Sequence, residues 1–215
     1  MGSVVISLSH TTILFVIALI CCQFCTLIDT VSDFFKSSSK LLVSIKHPLS
    51  FKKSINIEKL VDAVSQLIST SAEINGIYTH QLLIVVLMCY VSITSHLYYI
   101  YLNASSNIAL KHFYIPGDCL MILYRFFLIW RTIHSATSIS YKSKEFNVLL
   151  YQLMIEDTTN DFLHNEKLKL HIAMKREVVF TACGFFKLDY TLLHSMIASV
   201  TTYLVILIQF GEPVN

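Results

Sequence analysis

Residues 82–102 read LLIVVLMCYVSITSHLYYIYL, a run that holds no Asp, Glu, Lys or Arg. As a helix it rises about 30 Å, the thickness of a bilayer's hydrocarbon core. The run closes on Tyr98, Tyr99 and Tyr101, and such aromatics gather where lipid meets water. A transmembrane helix over 81–102 is the direct reading, and the remaining sequence extends it in both directions.

The whole chain is apolar in the same way. Of its 215 residues, 54% are hydrophobic and only 14% are charged. Ordinary soluble domains carry about one quarter charged residues, so a membrane protein is the class indicated. The formal charge of +2 is close to neutral, and no basic patch interleaved with aromatics marks a nucleic-acid surface. Five glycines and three prolines supply few turns, which favours helices. A membrane β-barrel requires regular short alternating segments separated by turn signals, and none occur. The six cysteines, Cys21, Cys22, Cys25, Cys89, Cys119 and Cys183, lie mostly within apolar runs. They read as small packing residues rather than as a disulfide framework or metal site.

Three more spans follow from the same criterion. The first covers 11–28 and contains ILFVIALICC. No Lys or Arg precedes it, so it reads as a retained helix rather than a signal peptide. Ile6 at the sixth position breaks a myristoylation pattern. The third span, 116–138, is weaker because it contains Arg125 and Arg131. The final span covers 188–210 and leaves a short tail, 211–215. Between the first two spans lies a polar segment, 29–80, whose part 57–77 has helical periodicity. Leu60, Val61, Val64, Leu67, Ile68, Ser71, Ile74 and Ile77 share one face there. Residues 29–57, with Ser37, Ser38 and Ser39, read as a loop. Within 139–187, Phe146, Leu149, Leu150, Leu153 and Met154 form a second amphipathic stripe. The expected architecture is all-α: a polytopic bundle of four transmembrane helices with cytosolic amphipathic anchor helices.

Lys and Arg set the orientation. The segment 29–80 holds six Lys and the stretch 140–177 five Lys and one Arg, whereas the loop 103–115 holds only Lys111. The basic segments are therefore placed in the cytosol, with the loop 103–115 and the C-terminus external. Asn103-Ala104-Ser105, a glycosylation sequon, falls in the external loop. A multi-pass protein of the plasma membrane results.

Particular motifs then carry a resemblance. The chain ends its last span on Thr202-Tyr203, five apolar residues, and Gln209-Phe210. Upstream stands Gly184-Phe185-Phe186-Lys187-Leu188-Asp189. Earlier come Ile74-Asn75-Gly76-Ile77-Tyr78 with Gln81-Leu82-Leu83, and Asn147-Val148-Leu149-Leu150-Tyr151-Gln152-Leu153. In this order they resemble the insect gustatory receptors, and they cover most of the chain after about residue 55. The resemblance implies a tetrameric, ligand-gated, non-selective cation channel, built as a homo- or heterotetramer around one pore lined by the final span. It implies seven spans with a cytosolic N-terminus. The four spans here would be the fourth to seventh, making the chain a fragment without the first three. It further implies a small-molecule tastant, a sugar, a bitter compound or similar, bound among the other spans.

On a helix, Ser195, Ser199, Thr202, Ile206 and Phe210 fall on one stripe, with Gln209 adjacent. Apolar rings close pores by excluding water. Ile206 and Phe210 are therefore read as the gate, with Gln209 replacing them on opening; simple packing of the span is the competing reading. Tyr203 is expected to pack between spans with its hydroxyl bonded. Candidate ligand contacts are His96, Tyr99, Tyr124 and Trp130. Asp189 beside Lys187 either attracts cations or forms a solvated pair. Arg125 is expected to face a cavity or an acidic partner, either Asp118 or a residue on the missing spans. No cofactor or metal is expected.

Two further roles are weighed: a non-conducting modulator of full-length receptors, and a small four-span membrane protein of another kind. An enzyme is not expected, since the nine histidines form none of the His-Glu-x-x-His or related catalytic patterns.

Overall fold

A computed structural model of the chain describes residues 2–45, 52–105, 115–156, 170–171 and 177–211. The protein is helical almost throughout. Helix α1 covers Gly2–Ile45, α2 Lys52–Ser105, α3 Ile115–Glu156 and α4 Tyr190–Gly211. Strands β1 (Thr181–Ala182) and β2 (Phe186–Lys187) pair in a small hairpin just before α4. No strand was expected from the sequence; the hairpin is a small addition to an otherwise all-α fold.

The three long helices run past the expected span boundaries. The 44 residues of α1 have about 66 Å of axial rise and the 54 of α2 about 81 Å. Both lengths far exceed the roughly 30 Å hydrocarbon core. Helix α1 therefore runs on beyond the expected span 11–28, through Ser37, Ser38 and Ser39, where a loop was expected. Helix α2 likewise joins the amphipathic part 57–77 and the span 81–102 without a break. The reason is physical: no proline interrupts either run, and the single Gly76 inside α2 costs only about 1 kcal/mol, so the helix propagates through it.

By length and composition, three helices among the described residues can cross a membrane: Thr11–Ser44, Ile57–Ala104 and Tyr190–Phe210. Helix α3, which holds the expected third span 116–138, is not among them; it carries Asp118, Arg125 and Arg131. The loop expected over 103–115 is also shorter than thought. Asn103 sits in the last turn of α2 rather than in a loop, and residues 106–114 lie outside the described residues. The same is true of 157–169 and of the tail beyond Gly211.

Two compact units share the long helices. One comprises residues 1–23, 79–134 and 182–215, the other 24–78 and 135–181. In the first, Leu82, Val85, Val86, Cys89 and Ile93 of α2 are buried, as are Ile129 and Ile133 of α3 and Leu192, Met196 and Val200 of α4. In the second, Phe24, Ile28, Val31, Phe35 and Leu42 recur at three-, four- and seven-residue steps along α1. Val61, Val64, Ile68, Ser71 and Ile74 do so along α2, and Ile139, Phe146 and Leu150 along α3. The expected amphipathic face of α2 is therefore mostly buried, apart from Ile77, which is exposed. Phe24 is the aromatic centre of this second core. It meets the Phe180 ring edge-on at 5.7 Å and Tyr78 at 5.6 Å. Ser135 donates to the Asp29 carboxylate at 2.9 Å, and Ser140 to the Val178 carbonyl at 2.6 Å.

Candidate functional site

Helix α4 carries the candidate pore residues, and its N-terminus is firmly built. In the hairpin the Phe185 amide donates to the Ala182 carbonyl at 3.0 Å. The two residues between, Cys183 and Gly184, both have positive φ (52° and 74°). That is the φ pattern of a type I′ turn, whose twist matches paired strands. The Cys183 amide donates to Thr79 Oγ1 at 2.6 Å. One turn earlier on α2, Asn75 Oδ1 accepts from the Thr181 amide at 3.0 Å.

Asp189 then caps α4. Its carboxylate accepts from the Thr191 amide at 3.0 Å and the Leu192 amide at 3.3 Å, and from the Thr191 hydroxyl. The carboxylate thereby satisfies amides that a helix start leaves open. The Thr191 hydroxyl above all, with the Leu192 and Thr191 amides and the nearby Lys187 charge, outweighs slight desolvation and holds the Asp189 carboxyl below its usual range. Neither sequence reading of Asp189 foresaw a cap. The first turn of α4 gains a further tie where His134 Nδ1 and the Tyr190 hydroxyl lie 2.9 Å apart. Trp130 stacks on His134 with ring centroids 5.5 Å apart.

Beyond its first turn, α4 packs along one narrow stripe, Leu192, Met196 and Val200. Ser195 and Ser199 each precede a packed residue by one position, so they turn about 100° away from that stripe. Ser195, Ser199, Thr202, Ile206, Gln209 and Phe210 are all exposed. Phe210 is 85% exposed. The Ser195 hydroxyl donates to the Thr191 carbonyl at 2.9 Å and Thr202 to Ala198 at 3.0 Å. Their oxygens retain lone pairs for water or a cation.

Two cavities flank the packed stripe. One, of about 390 Å³, is lined by Tyr90, Phe186, Thr191, Ser195 and Ser199 among others. The other, of about 490 Å³, is lined by Tyr90, Thr94, Tyr98 and Tyr99 of α2 and by Tyr203 and Leu207 of α4. Of the four expected ligand contacts, only Tyr99 lines a cavity described here. His96 instead pairs with Asp118, Nδ1 to Oδ1 at 2.8 Å. Asp118 was a proposed partner for Arg125; Arg125 is itself buried, beside the Cys89 and Tyr124 side chains. Tyr124 and Trp130 lie on α3, both partly exposed, with Trp130 against Phe127 and His134. The four residues are not brought together.

Sequence reasoning missed the role of Tyr90, Thr94, Tyr98 and Tyr203. Tyr203 is not packed away: it is 48% exposed and borders the larger cavity. The signal was present in the four-residue spacing of Tyr90, Thr94 and Tyr98, which places them on one helical face. Among the described residues no group of His, Cys, Asp or Glu is arranged to hold a metal ion.

Comparison with known proteins gives these features a context. The sequence profile of the 7tm chemosensory receptors matches residues 2–212. Two curated proteins of Drosophila melanogaster are similar. Gustatory receptor for bitter taste 66a is 33% identical over 101 residues, 46% of this chain and 17% of that protein. Gustatory and pheromone receptor 32a is 58% identical over 40 residues, 19% of this chain and 9% of that protein. The fold matches the olfactory receptor OR5 of Machilis hrabei at a TM-score of 0.65 and 15% identity, covering 88% of this chain and 47% of that one. The same receptor solved in complex with eugenol matches at 0.65 and 17% identity, covering 87% and 46%. The chain thus spans about half the length of these solved receptors.

Proposed function

This chain belongs to the family of 7tm chemosensory receptors, and from that premise we propose that it is a subunit of a tetrameric, ligand-gated, non-selective cation channel of taste. The observation that carries the proposal is the face of α4. Six residues, Ser195, Ser199, Thr202, Ile206, Gln209 and Phe210, stand exposed along one side of an apolar helix. Ser195 and Ser199 border the cavity of about 390 Å³, and Thr202, Ile206, Gln209 and Phe210 stand exposed in the single chain, which supports the pore reading over simple packing within the chain. Around a symmetry axis, four copies would place hydroxyls along the first half of a pore and a ring of Ile206 and Phe210 at its far end. Such an apolar ring closes a pore by dewetting. Gln209, beside the ring, supplies the polar group that admits water when the helix turns.

The basic segments, Lys36 to Lys59 and Lys142 to Arg176, support placing their side of the membrane in the cytosol and the end of α4 outside. Helices α1–α4 would then stand for the fourth to seventh spans. The name of one Drosophila relative, gustatory receptor for bitter taste 66a, supports a small organic tastant of the bitter class. The cavity lined by Tyr90, Tyr98, Tyr99 and Tyr203 suits such a molecule, with aromatic walls and the Thr94 hydroxyl.

The test is electrical. In cells expressing the receptor, Phe210→Ser is expected to raise the resting cation current several-fold at unchanged surface level. An unchanged resting current would defeat the gate assignment. Co-expression with a full-length receptor gives the second readout: a fall in that receptor's current at normal surface level marks a non-conducting modulator instead.

A further inference from the structure

Lys36 and Lys40 stand one turn apart on α1, and together with Lys142 of α3 they line a cavity of about 500 Å³. None of its lining residues belongs to the pore face or to the two cavities described above. The remaining polar walls are Ser39, Tyr141 and one carboxylate, Glu145, so three cations face a single anion. Lys142 has Asp33 nearby, but at 3.9 Å and with the Asp33 side chain 79% exposed. An exposed contact at that distance holds the lysine weakly. Among the described residues, Lys36 and Lys40 have no ion-pair partner. Lys144, by contrast, is paired with Glu177 at 3.1 Å.

Ser39 provides the second observation. It is 9% exposed, and its Oγ is buried with no hydrogen-bond partner. Ser71, Ser95 and Ser140 each donate to the carbonyl four residues back, but Ser39 does not. A buried hydroxyl without a partner is costly unless something fills its bond. Ser39 lines the same cavity as the three lysines, with its Oγ closed off in the present rotamer. The surplus positive charge calls for an anionic oxygen, and rotation of the Ser39 hydroxyl toward it would fill the missing bond.

We propose that this cavity binds a small organic polyphosphate. Lysine ammonium groups hold phosphates as point charges, and three around one cavity suit at least two phosphates. The volume fits one small organic molecule. Val43 and Leu149 in the lining, with the ring of Tyr141, favour a phosphorylated ring over bare phosphate. An inositol polyphosphate meets these terms, whether free or as the headgroup of a phosphoinositide. A bound anion would join α1 to α3. Its cytosolic location, though not its chemistry, rests on the orientation proposed above.

Calorimetric titration of the full chain in neutral detergent, with inositol trisphosphate as one probe and phosphatidylcholine vesicles carrying phosphatidylinositol bisphosphate as the other, tests the site. Binding is expected to weaken at least tenfold in the combined variant Lys36→Gln, Lys40→Gln and Lys142→Gln. It should weaken a few-fold in Ser39→Ala and stay unchanged in Lys144→Gln. If the combined variant melts lower than wild type, Lys40→Gln alone carries the test, with about a threefold loss expected for one of three charges. Binding of the soluble probe identifies a free polyphosphate, and binding of the vesicle alone identifies the headgroup; either supports the site. No binding of either probe, or an equal loss in Lys144→Gln, overturns it. The readout needs no channel current, so a silent channel with intact binding refutes only the function proposed above.

Discussion

Replacing Thr79 with valine removes the acceptor that holds the hairpin in front of α4. Thr79 Oγ1 accepts from the Cys183 amide at 2.6 Å. Valine keeps the branched shape but offers no acceptor. A hydrogen bond of this type contributes about 1 kcal/mol net, and an amide left fully buried without a partner costs about 1–3 kcal/mol. Both residues are half-buried, so water can reach part of the vacated amide and the lower end applies. At about 1 kcal/mol the local opening equilibrium shifts roughly fivefold. The assay is amide hydrogen exchange in detergent, resolved at Cys183 by cysteine-selective isotope labelling. The Cys183 amide should exchange about fivefold faster. The Thr181 amide, held separately by Asn75 at 3.0 Å, should change much less. Unchanged exchange at Cys183 would refute the tether, and equal acceleration at both amides would show general loosening instead.

Other expected outcomes follow from the same elements. Asp189→Ala removes the α4 cap and should lower stability by about 0.5–2 kcal/mol in thermal unfolding. Because the folded Asp189 carboxyl sits below its ordinary range, its contribution is complete above the unfolded value near 3.9 and is lost as pH falls through the lower folded value. Melting curves at falling pH should thus drop more steeply below about pH 4 for wild type than for Asp189→Asn. Cys183→Gly relieves a side chain at positive φ and should stabilise the hairpin by about 0.5–1 kcal/mol. Gly184→Ala, at φ 74° with open space around its Cβ, should cost about 1 kcal/mol through backbone strain alone. Phe24→Ala removes a ring that is 0% exposed, and should lower stability by about 3–5 kcal/mol; a loss under about 1 kcal/mol would contradict the aromatic core it centres.

The helices and their buried faces were legible in the sequence because both rest on periodicity. Val61, Val64, Ile68 and Ile74 were read from spacing and are buried. Helix ends were less legible, because propagation is cheap once a helix exists. Polar residues such as Ser37, Ser38 and Ser39 look like loop but cost little in an established helix, so α1 runs through them. The hairpin was invisible for a different reason. Its turn uses Cys183 at positive φ, where turn chemistry would lead one to expect Asn or Asp before Gly184. Long-range pairs such as His96 with Asp118 leave no local pattern at all. Asn75 and Thr79 did leave one, a one-turn spacing on α2, but nothing in the sequence identifies the two amides they receive.

The distribution of contacts along α4 bears on where a gate can operate. Its first turn is held by the Asp189 cap, by the His134–Tyr190 pair, and by a preceding hairpin whose Cys183 amide Thr79 anchors. Its packed residues end at Val200, and only 17% of its most apolar window is buried. From Thr201 to Phe210 no residue is fully buried. A displacement at the Ser195 end therefore breaks several specific bonds, whereas one at the Phe210 end breaks few. Moving elements are drawn from regions of low local stability. If α4 lines a pore as proposed, Ser195 and Ser199 suit a fixed vestibule, and Ile206, Gln209 and Phe210 suit the part that moves. A ligand between Tyr98 or Tyr99 on α2 and Tyr203 or Leu207 on α4 would act directly on that mobile half. It could bias the gate only through different affinity for its two positions, and Tyr203, three residues before Ile206, is where that difference would be felt.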